Sequence, residues 1–486
     1  MRFYDGWEFV LFLMRLLVVP HFYICSAAAI CLFMISGTSC AQTPEANRHL
    51  KITLAQAIER AQTNYPAIQA AQAQHRAAQA AVGVARTAYL PRTDLLWQTN
   101  RATANNIYGL LLPQGVIPSI SGPVIASDVS RMAWSSGGGA LLSWQPFDFG
   151  ARAARVNAAR QGSEAAKEAA VFTTLQITTA AGSAFFDLAA AHQLVTVAEA
   201  NLRRLETFDN VIHVLVDNTL RPGADASQAD AQLALARNQL VQAQTQEAIR
   251  RSALSEYLQI AGNSTDIDAS QMLATLPPAD SEATSATAHP AVLQERALVS
   301  EQEAQKRVLD RSYVPVFSAL GSVSGRGAGT ALNGNFPGGT AGLAPDTFNW
   351  AAGLQITFAA FDYFGLREQK KIQQANIQAE QARYNQAIDD IAVAVEQAKA
   401  TLNGARQLAA NTPVELTAAR DSEQQQQVRY RSGLATVVDV AIAEAVLTQA
   451  ESDDAVARLS VWRAELGVAA ARGDLQPFLQ MLKSLP

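Results

Sequence analysis

The chain has 486 residues, of which 49% are hydrophobic, 17% charged and 7% aromatic, and its formal net charge is -5. This apolar share excludes a disordered chain, and weak acidity without a Lys/Arg cluster argues against nucleic acid as the main partner. Recurring Ala and Gln with few aromatic residues favour helices that pack closely through small side chains.

The first 41 residues have the form of a secretory signal peptide. An apolar stretch over 16–35 precedes the small, polar run 36–41, as in signals that are cleaved at small residues. Cleavage after Ala41 is one outcome. Lipidation of Cys40 as the first mature residue, as in bacterial lipoproteins, is the alternative.

Cysteine usage and hydropathy constrain how the exported chain is stabilised and how it meets a membrane. Cys25 and Cys31 leave with the signal, so at most Cys40 remains and no internal disulfide can form. After the signal, no segment has the about 18 uninterrupted apolar residues that a transmembrane helix needs. We therefore expect any membrane crossing by this chain to use β-strands.

Short motifs recur in the same order in the two halves of the chain, which indicates an internal duplication. The recurring pairs are Tyr65-Pro66-Ala67 with His289-Pro290-Ala291, Ala88-Tyr89-Leu90-Pro91 with Ser312-Tyr313-Val314-Pro315, Phe147-Asp148 with Phe361-Asp362, and Arg221-Pro222-Gly223-Ala224 with Arg431-Ser432-Gly433-Leu434. The offset falls from 224 residues to 214 and then to 210. We predict a first repeat over 42–275, a linker over 276–288, a second repeat over 289–475 and a C-terminal segment over 476–486.

Each repeat has the pattern of a helix, two strands, a long helix, a tip and a returning helix. No proline lies between Gly150 and Thr219, which predicts a helical rod about 100 Å long. The first repeat is predicted to hold a helix over 66–88, strands over about 92–104 and 131–147, the long helix over 151–219, the tip over 221–225 and the return helix over 226–261. The second is predicted to hold a helix over 290–312, strands over about 315–325 and 348–361, the long helix over 366–430, the tip over 431–435 and the return helix over 436–471.

The strand windows alternate between apolar and small or polar residues. From Trp350 to Phe358, the even-numbered positions are apolar and the odd-numbered positions are small or polar, the pattern of a membrane β-strand. A soluble sandwich edge alternates in the same way, but the export signal and the lack of disulfides favour the membrane. Segments 104–130 and 325–348 become the loops outside the cell. An aromatic girdle at the membrane interface would comprise Trp144, Phe147, Trp350 and Phe361.

Four strands cannot close a barrel, and an open sheet edge in lipid would leave N–H and C=O groups without partners. The sequence therefore predicts an oligomer. Three copies give twelve strands, an even number above the smallest barrels. Two or four copies also give even numbers, so the strand count leaves all three assemblies open.

Over essentially residues 50–480, the chain resembles the TolC-like outer-membrane efflux proteins. The resemblance rests on the two-copy plan, the Tyr-Pro and His-Pro helix starts, the Tyr-Leu-Pro and Tyr-Val-Pro stops, the Phe-Asp turns and the Arg-x-Gly tips. The resemblance implies a mainly α fold with a small β part, in which a trimeric 12-stranded outer-membrane β-barrel continues into a long periplasmic α-helical barrel. It implies the outer membrane of a Gram-negative bacterium as the location. Besides lipid, its partners would be a periplasmic membrane-fusion adaptor and an inner-membrane transporter of the RND, ABC or MFS type.

By the same resemblance, residues at the two helix-hairpin tips contact the adaptor. They are Arg221, Gly223 and Ala224 in the first repeat and Arg431, Gly433, Leu434 and Ala435 in the second. The residue types also suit a purely structural role. The two glycines would supply φ > 0 after a long helix, and the arginines would face its negative C-terminal dipole.

Asp439 is the candidate gate residue, because family members can carry an acidic side chain there that points into the closed inner end of the duct. Three copies would form a negative ring that favours cations and raises the pKa of each carboxyl group. The alternative is an ordinary solvated carboxylate. In the first repeat, Asp225 and Asp230 flank the equivalent position, and helix capping is the expected role of Asp225.

Enzymatic and metal-binding motifs are absent from the sequence. It contains no phosphate-binding loop, no His-Glu-x-x-His and no Cys-x-x-Cys, and its six histidines are isolated from one another. We therefore expect no catalytic residue, cofactor or metal site. The expected function is a passive exit duct, for drug or metal efflux or for type I protein secretion. The alternative is a non-transporting periplasmic coiled-coil scaffold or adhesin.

Overall fold

The computed structural model describes residues 50–103, 132–260, 265–278, 286–329 and 338–484. The predicted export signal with Cys40 lies outside the described residues, as do the segment 104–131 and most of the predicted linker. The described chain is mostly helical, as the sequence predicts.

Within the described residues, the chain forms six strands and nine α-helices. The strands are β1 (Leu50–Ile52), β2 (Arg92–Thr103), β3 (Met132–Phe147), β4 (Thr265–Ile267), β5 (Val316–Ala328) and β6 (Thr347–Thr357). The helices are α1 (Leu54–Asn64), α2 (Pro66–Thr87), α3 (Ala151–Asp217), α4 (Gly223–Leu258), α5 (Ser270–Ala274), α6 (Pro290–Asp310), α7 (Asp362–Arg431), α8 (Val437–Arg472) and α9 (Gln476–Lys483).

The four long strands form one antiparallel sheet in the order β2-β3-β5-β6. One row across it joins Leu95, Ala140, Val323 and Trp350 as direct partners. Directly opposed residues lie on the same face of a sheet, so these four apolar residues, one from each strand, share one face. β2 and β6 each have one neighbour among the described strands, so the sheet is open at both sides.

Two very long helices follow the two strand pairs. α3 has 67 residues and α7 has 70, and α7 runs through Pro413, although an internal proline costs about 3 kcal/mol. α7 packs on α8 through small side chains, among them Ala405, Ala409 and Ala464. Lateral packing over many turns therefore holds a helix that proline alone would interrupt.

By length and composition, α3 is the one helix among the described residues that could cross a membrane. The sequence criterion of an uninterrupted apolar run does not select it. In the structure α3 contacts α1, α2, α4, α6 and α8, and the side chains of Phe185 and Phe186 are buried in the largest apolar core. The buried apolar residues of α3 therefore serve helix packing within the chain.

The largest apolar core involves short elements that the sequence analysis does not identify. β1 pairs with β4 in parallel, and α9 lies in the segment treated only as the C-terminal end. The Trp462 indole N–H donates to the carbonyl oxygens of Met272 and Thr275, at 3.1 and 2.9 Å, and its ring lies 6.4 Å from the Phe478 ring. These contacts join α8 to α5 and α9.

The recurring Phe-Asp motif marks a junction between strand and helix. The Asp148 carboxylate accepts hydrogen bonds from the backbone N–H groups of Gly150 and Arg152, at 3.2 and 2.6 Å. The buried Arg152 guanidinium lies 2.9 Å from Asp148 and 4.7 Å from the centre of the Tyr89 ring. This network satisfies two backbone N–H groups at the start of α3, those of Gly150 and Arg152.

Candidate functional site: the tips of the helix hairpins

The hairpin α3–α4 turns through a tight C-cap at the end of α3. Thr219 has φ = 60°, its N–H donates to Val216 O at 2.8 Å, and Leu220 N–H donates to Leu215 O at 2.9 Å. This pair of bonds is a Schellman motif, which normally places glycine at the positive-φ position. A β-branched residue there is strained.

The hairpin α7–α8 closes with the same motif, and here the positive-φ residue is glycine. Gly433 has φ = 74°, its N–H donates to Tyr430 O at 3.0 Å, and Leu434 N–H donates to Arg429 O at 2.8 Å. The structure therefore agrees with the predicted conformation of Gly433.

The predicted conformation of Gly223 is wrong. Gly223 is the first residue of α4, after the N-cap Pro222, and it is not among the residues with positive φ. The motif comparison paired Gly223 with Gly433, but α3 and α7 end at Asp217 and Arg431, 214 positions apart (431 minus 217). The structural counterpart of Gly433 is therefore Thr219.

The corrected offset makes Asp225 the counterpart of Asp439, so the prediction that Asp225 only flanks the equivalent position is wrong. α4 begins at Gly223 and α8 at Val437, again 214 apart (437 minus 223). Each aspartate is therefore the third residue of its helix. The two carboxylates have different partners because the residues before the two helices differ.

The Asp439 carboxylate caps its own helix. It accepts hydrogen bonds from the backbone N–H and the hydroxyl of Thr436, at 2.7 and 2.8 Å, while Asp439 N–H donates to the Thr436 hydroxyl at 3.3 Å. This is a capping box. The hydrogen bonds from Thr436 hold the pKa of the exposed Asp439 below its usual value. Capping, predicted for Asp225, is therefore performed by Asp439.

Asp225 instead joins the two hairpins. α4 has Pro222 as its N-cap, which offers no side-chain cap, and the Asp225 carboxylate accepts a hydrogen bond from the Tyr430 hydroxyl at 3.2 Å. The Tyr430 side chain is buried. Burial, followed by the nearby Asp225 charge, raises the pKa of Tyr430 to about 12, so the hydroxyl stays protonated and able to donate.

Arg221 makes a second link between the hairpins. Its guanidinium lies 4.4 Å from the centre of the Tyr430 ring and donates to the Tyr430 carbonyl oxygen at 2.5 Å. That carbonyl belongs to the last turn of α7. The arginine therefore contacts the negative end of the partner hairpin's helix rather than the end of α3 as predicted.

An apolar cluster lies beneath these polar links and draws on all four tip helices. Its buried members are Ile212, Ala226, Ala229, Tyr430, Val437 and Val440, with Ala435 packed against them. Of the other predicted tip residues, Gly223, Ala224, Arg431, Gly433 and Leu434 are exposed. Ala435 therefore contributes to the internal packing, whereas the exposed residues are accessible from outside this chain.

A carboxylate cluster next to the tips was not identified from the sequence. The Arg204 guanidinium of α3 contacts Glu444 Oε2 at 3.1 Å and Glu451 Oε2 at 3.0 Å, both on α8. Glu423 of α7 lies beside Glu444. Burial and the Glu444 charge raise the pKa of Glu423 to about 7. Arg204 of α3 and Glu444 of α8 are 240 positions apart in the chain, so no spacing motif signals this group.

Of the predicted girdle residues, Trp144 and Phe147 lie near the end of β3, Trp350 lies within β6 opposite Val323, and Phe361 is the N-cap of α7. Trp144 donates its indole N–H to Tyr89 O at 3.1 Å, and the Phe147 ring lies 4.6 Å from that of Phe149. Trp350 and Phe361 are 79% and 87% exposed. Trp144 and Phe147 therefore make contacts within the chain, whereas Trp350 and Phe361 are largely exposed.

Comparison with known proteins agrees with this architecture. The model of the outer membrane efflux protein family matches residues 57–258 and 284–474. Among curated proteins, no relative matches.

Solved structures of outer-membrane channels have the same fold. CusC superposes with a TM-score of 0.72 at 15% identity, covering 87% of this chain and 92% of CusC. VceC from Vibrio cholerae superposes with a TM-score of 0.69 at 18% identity, covering 87% of this chain and 96% of VceC. CmeC from Campylobacter jejuni superposes with a TM-score of 0.69 at 15% identity, covering 86% of this chain and 85% of CmeC. These matches confirm the TolC-like resemblance of the sequence. Because the family model matches most of the chain, the protein belongs to the outer membrane efflux protein family. It is an outer-membrane protein that extends into the periplasm.

Proposed function

We propose that three copies of this chain form the passive outer-membrane exit duct of a tripartite efflux system. In this proposal, the strands build one 12-stranded barrel and the long helices build a periplasmic barrel below it. A periplasmic adaptor connects the duct to an inner-membrane transporter, which supplies the driving force. The observation that carries the proposal is a sheet with one apolar face and two unpaired edges.

The apolar face of the sheet suits lipid. Leu354 is 86% exposed and Trp350 79% exposed in a single chain, and the strand register places them on the same side as Leu95 and Val323. Most residues of the other face are small or polar, such as Ser322 and Gly353, although Leu141 and Leu320 also lie there. This division is the one expected of a membrane strand with lipid outside and water inside. It argues against a soluble periplasmic scaffold.

The open edges require partners. An unpaired strand edge in hydrocarbon costs several kcal/mol for each N–H or C=O group without a partner. β2 of one copy pairing with β6 of the next removes both edges, and twelve strands then close the wall.

The return helix α8 supports the same assembly. Val438, Ile442 and Val446 recur every four residues and are exposed in the single chain. This spacing places them on one helix face. Neighbouring copies in a helical barrel would cover this face.

An internal duplication is part of the proposal. An offset of 214 positions separates the end of α3 from the end of α7. The same offset separates the start of α4 from the start of α8, and the end of α4 from the end of α8. This constant offset supports a first repeat over 42–275 and a second over 289–475, joined by the linker 276–288.

The exposed tip residues are the proposed adaptor contacts, and Asp439 is the proposed gate. Gly223, Ala224, Gly433 and Leu434 lie where the chain reverses, which is the outermost part of each hairpin. Asp439 has an exposed carboxylate with a lowered pKa, so it stays charged near neutral pH. Three such carboxylates around an axis would attract cations.

Arginine substitutions on the two faces of β6 test the lipid assignment. Leu354→Arg places a charge on the proposed lipid face, where it costs about 2–4 kcal/mol near the bilayer midplane. Gln355→Arg is the matched control on the opposite face. We expect the first variant to lose trimer from outer-membrane fractions and the second to retain it. Equal assembly of both variants, or extraction of the native protein by carbonate, would contradict the proposal.

A further inference from the structure

A histidine and two aspartates meet between α3 and α4, about two helical turns from the tip. His213 Nε2 lies 3.1 Å from Asp230 Oδ1 and 3.7 Å from Asp209 Oδ1. One ligand atom of each residue lies within 4.8 Å of those of the other two. Asp209 and His213 are one turn apart on α3, and Asp230 belongs to α4. The separation of the histidines in the sequence gives no sign of this group, because two of its three members are aspartates.

One of these carboxylate oxygens lacks a hydrogen-bond donor. Asp209 Oδ1 is buried and accepts no hydrogen bond among the described residues, and the Asp209 side chain is only 13% exposed. A buried acceptor without a donor destabilises the folded chain, and more so when it is charged. Such an oxygen in a native structure needs a partner, and a cation would provide one.

We propose that Asp209, His213 and Asp230 bind one divalent transition-metal ion of the Zn²⁺, Co²⁺ or Ni²⁺ class. Imidazole nitrogen favours these ions over Mg²⁺ or Ca²⁺, and carboxylate oxygens complete the donor set. Ligand bonds of about 2.0 Å in a tetrahedron separate the ligand atoms by about 3.3 Å. The distances from His213 Nε2 to the two carboxylates lie on either side of that value.

The ion would cross-link the two helices of the first hairpin. It binds two ligands of α3 and one of α4, so the separation of these helices would become fixed close to the tip. The side chains of His213 and Asp230 are partly open to solvent, which leaves room for water at the remaining coordination position. This site does not depend on whether the chain forms a duct.

The competing explanation is a charged histidine paired with carboxylates, which needs no metal. The two explanations differ in a direct measurement on the detergent-purified full chain. Co²⁺ titration followed by visible absorption reports coordination geometry, and Zn²⁺ calorimetry gives stoichiometry and affinity. Neither readout depends on transport.

Two substitutions and a matched control define the test. His213→Ala removes the nitrogen ligand, and Asp209→Asn keeps the shape but removes the charge. The control is His192→Ala. His192 Nδ1 lies 3.0 Å from Glu247 Oε1 between the same two helices. In the part of the chain that the structure describes, no second carboxylate completes a three-ligand group there.

We expect one ion per chain in the native protein and in His192→Ala, with a tetrahedral Co²⁺ spectrum. We expect affinity to fall by about 100-fold or more in His213→Ala and by about tenfold or more in Asp209→Asn. Zn²⁺ should raise the unfolding temperature of the native protein and not that of His213→Ala. Absence of binding by the native protein, or equal binding by all variants, would overturn the proposal. Circular dichroism identifies any variant that fails to fold, and Asp209→Asn then provides the comparison.

Discussion

The Tyr430 hydroxyl donates to the Asp225 carboxylate across 3.2 Å and so joins α7 of one hairpin to α4 of the other. Asp225 and Asp439 occupy the same position in their helices, yet one joins the hairpins and the other caps its own helix. The difference begins with the residue before each helix. Thr436 engages Asp439 in a capping box, whereas Pro222 leaves Asp225 available to Tyr430.

Removal of the Tyr430 hydroxyl should loosen the two tips. We expect Tyr430→Phe to lose about 1–2 kcal/mol of stability, because the Asp225 carboxylate loses its donor while the ring packing is retained. If the tips close the duct, single-channel conductance in a planar bilayer should also rise. Tyr384→Phe, elsewhere on α7, is the control and should change neither. An unchanged conductance for Tyr430→Phe would show that this hydrogen bond does not control opening of the duct.

Glu423 should give the protein a distinctive pH dependence of stability. Its pKa is about 7 in the folded chain against 4.5 for an ordinary glutamate. Between these values the native state binds more protons than the unfolded state, so stability falls as pH rises from about 4.5 to 7. Glu423→Gln should remove this contribution and raise the unfolding temperature at pH 8 more than at pH 5.

The exposed Glu415, also on α7, provides the control for this effect. Chemical denaturation of the native protein, Glu423→Gln and Glu415→Gln at several pH values measures the slopes. If Glu415→Gln changes the slope as much as Glu423→Gln does, the carboxylate pair is not its source.

The two positive-φ residues should respond in opposite ways to substitution. Gly433→Ala should destabilise the chain by about 1–2 kcal/mol, since the left-handed conformation is costly for residues with a Cβ. Thr219→Gly should stabilise it by about 0.5–1 kcal/mol for the same reason. No atom lies within 4 Å of a Cβ built on Gly433, so the effect would come from the backbone alone. Thermal unfolding of both variants measures the change in stability. A change of the same sign in both variants would contradict the assignment of Thr219 and Gly433 to equivalent positive-φ positions.

The charge and the capping role of Asp439 can be separated. Asp439→Asn removes the charge, whereas Thr436→Val breaks the capping box and keeps the carboxylate. Both should cost about 1 kcal/mol of stability. Reversal potentials under a salt gradient should show reduced cation preference in Asp439→Asn only. If the two variants have equal cation selectivity, Asp439 acts as a helix cap and not as a gate.

Local periodicity identifies the regular elements well. The alternation after Trp350 indicates a strand, and the proline-free run before Asp217 indicates a long helix, because each depends on a repeating relation between near neighbours. The Phe-Asp turn of the first repeat is likewise local, because Asp148 accepts hydrogen bonds from the N–H groups of Gly150 and Arg152. In the second repeat, Asp362 is simply the first residue of α7.

Other features depend on contacts that sequence spacing does not reveal. Matching glycine to glycine misaligned the tips, since Thr219 holds the strained position without a glycine signal. The bond between Asp225 and Tyr430, and the group around Glu423, join helices that are distant along the chain. The Trp462 core relies on helices too short to show a clear period.

The mass of the detergent-purified protein, measured together with its conductance in a planar bilayer, tests the central claim that several chains share one β wall. We expect a particle of three chains that conducts ions. A monomer without conductance would contradict it, since four strands with two open edges cannot form a pore in lipid.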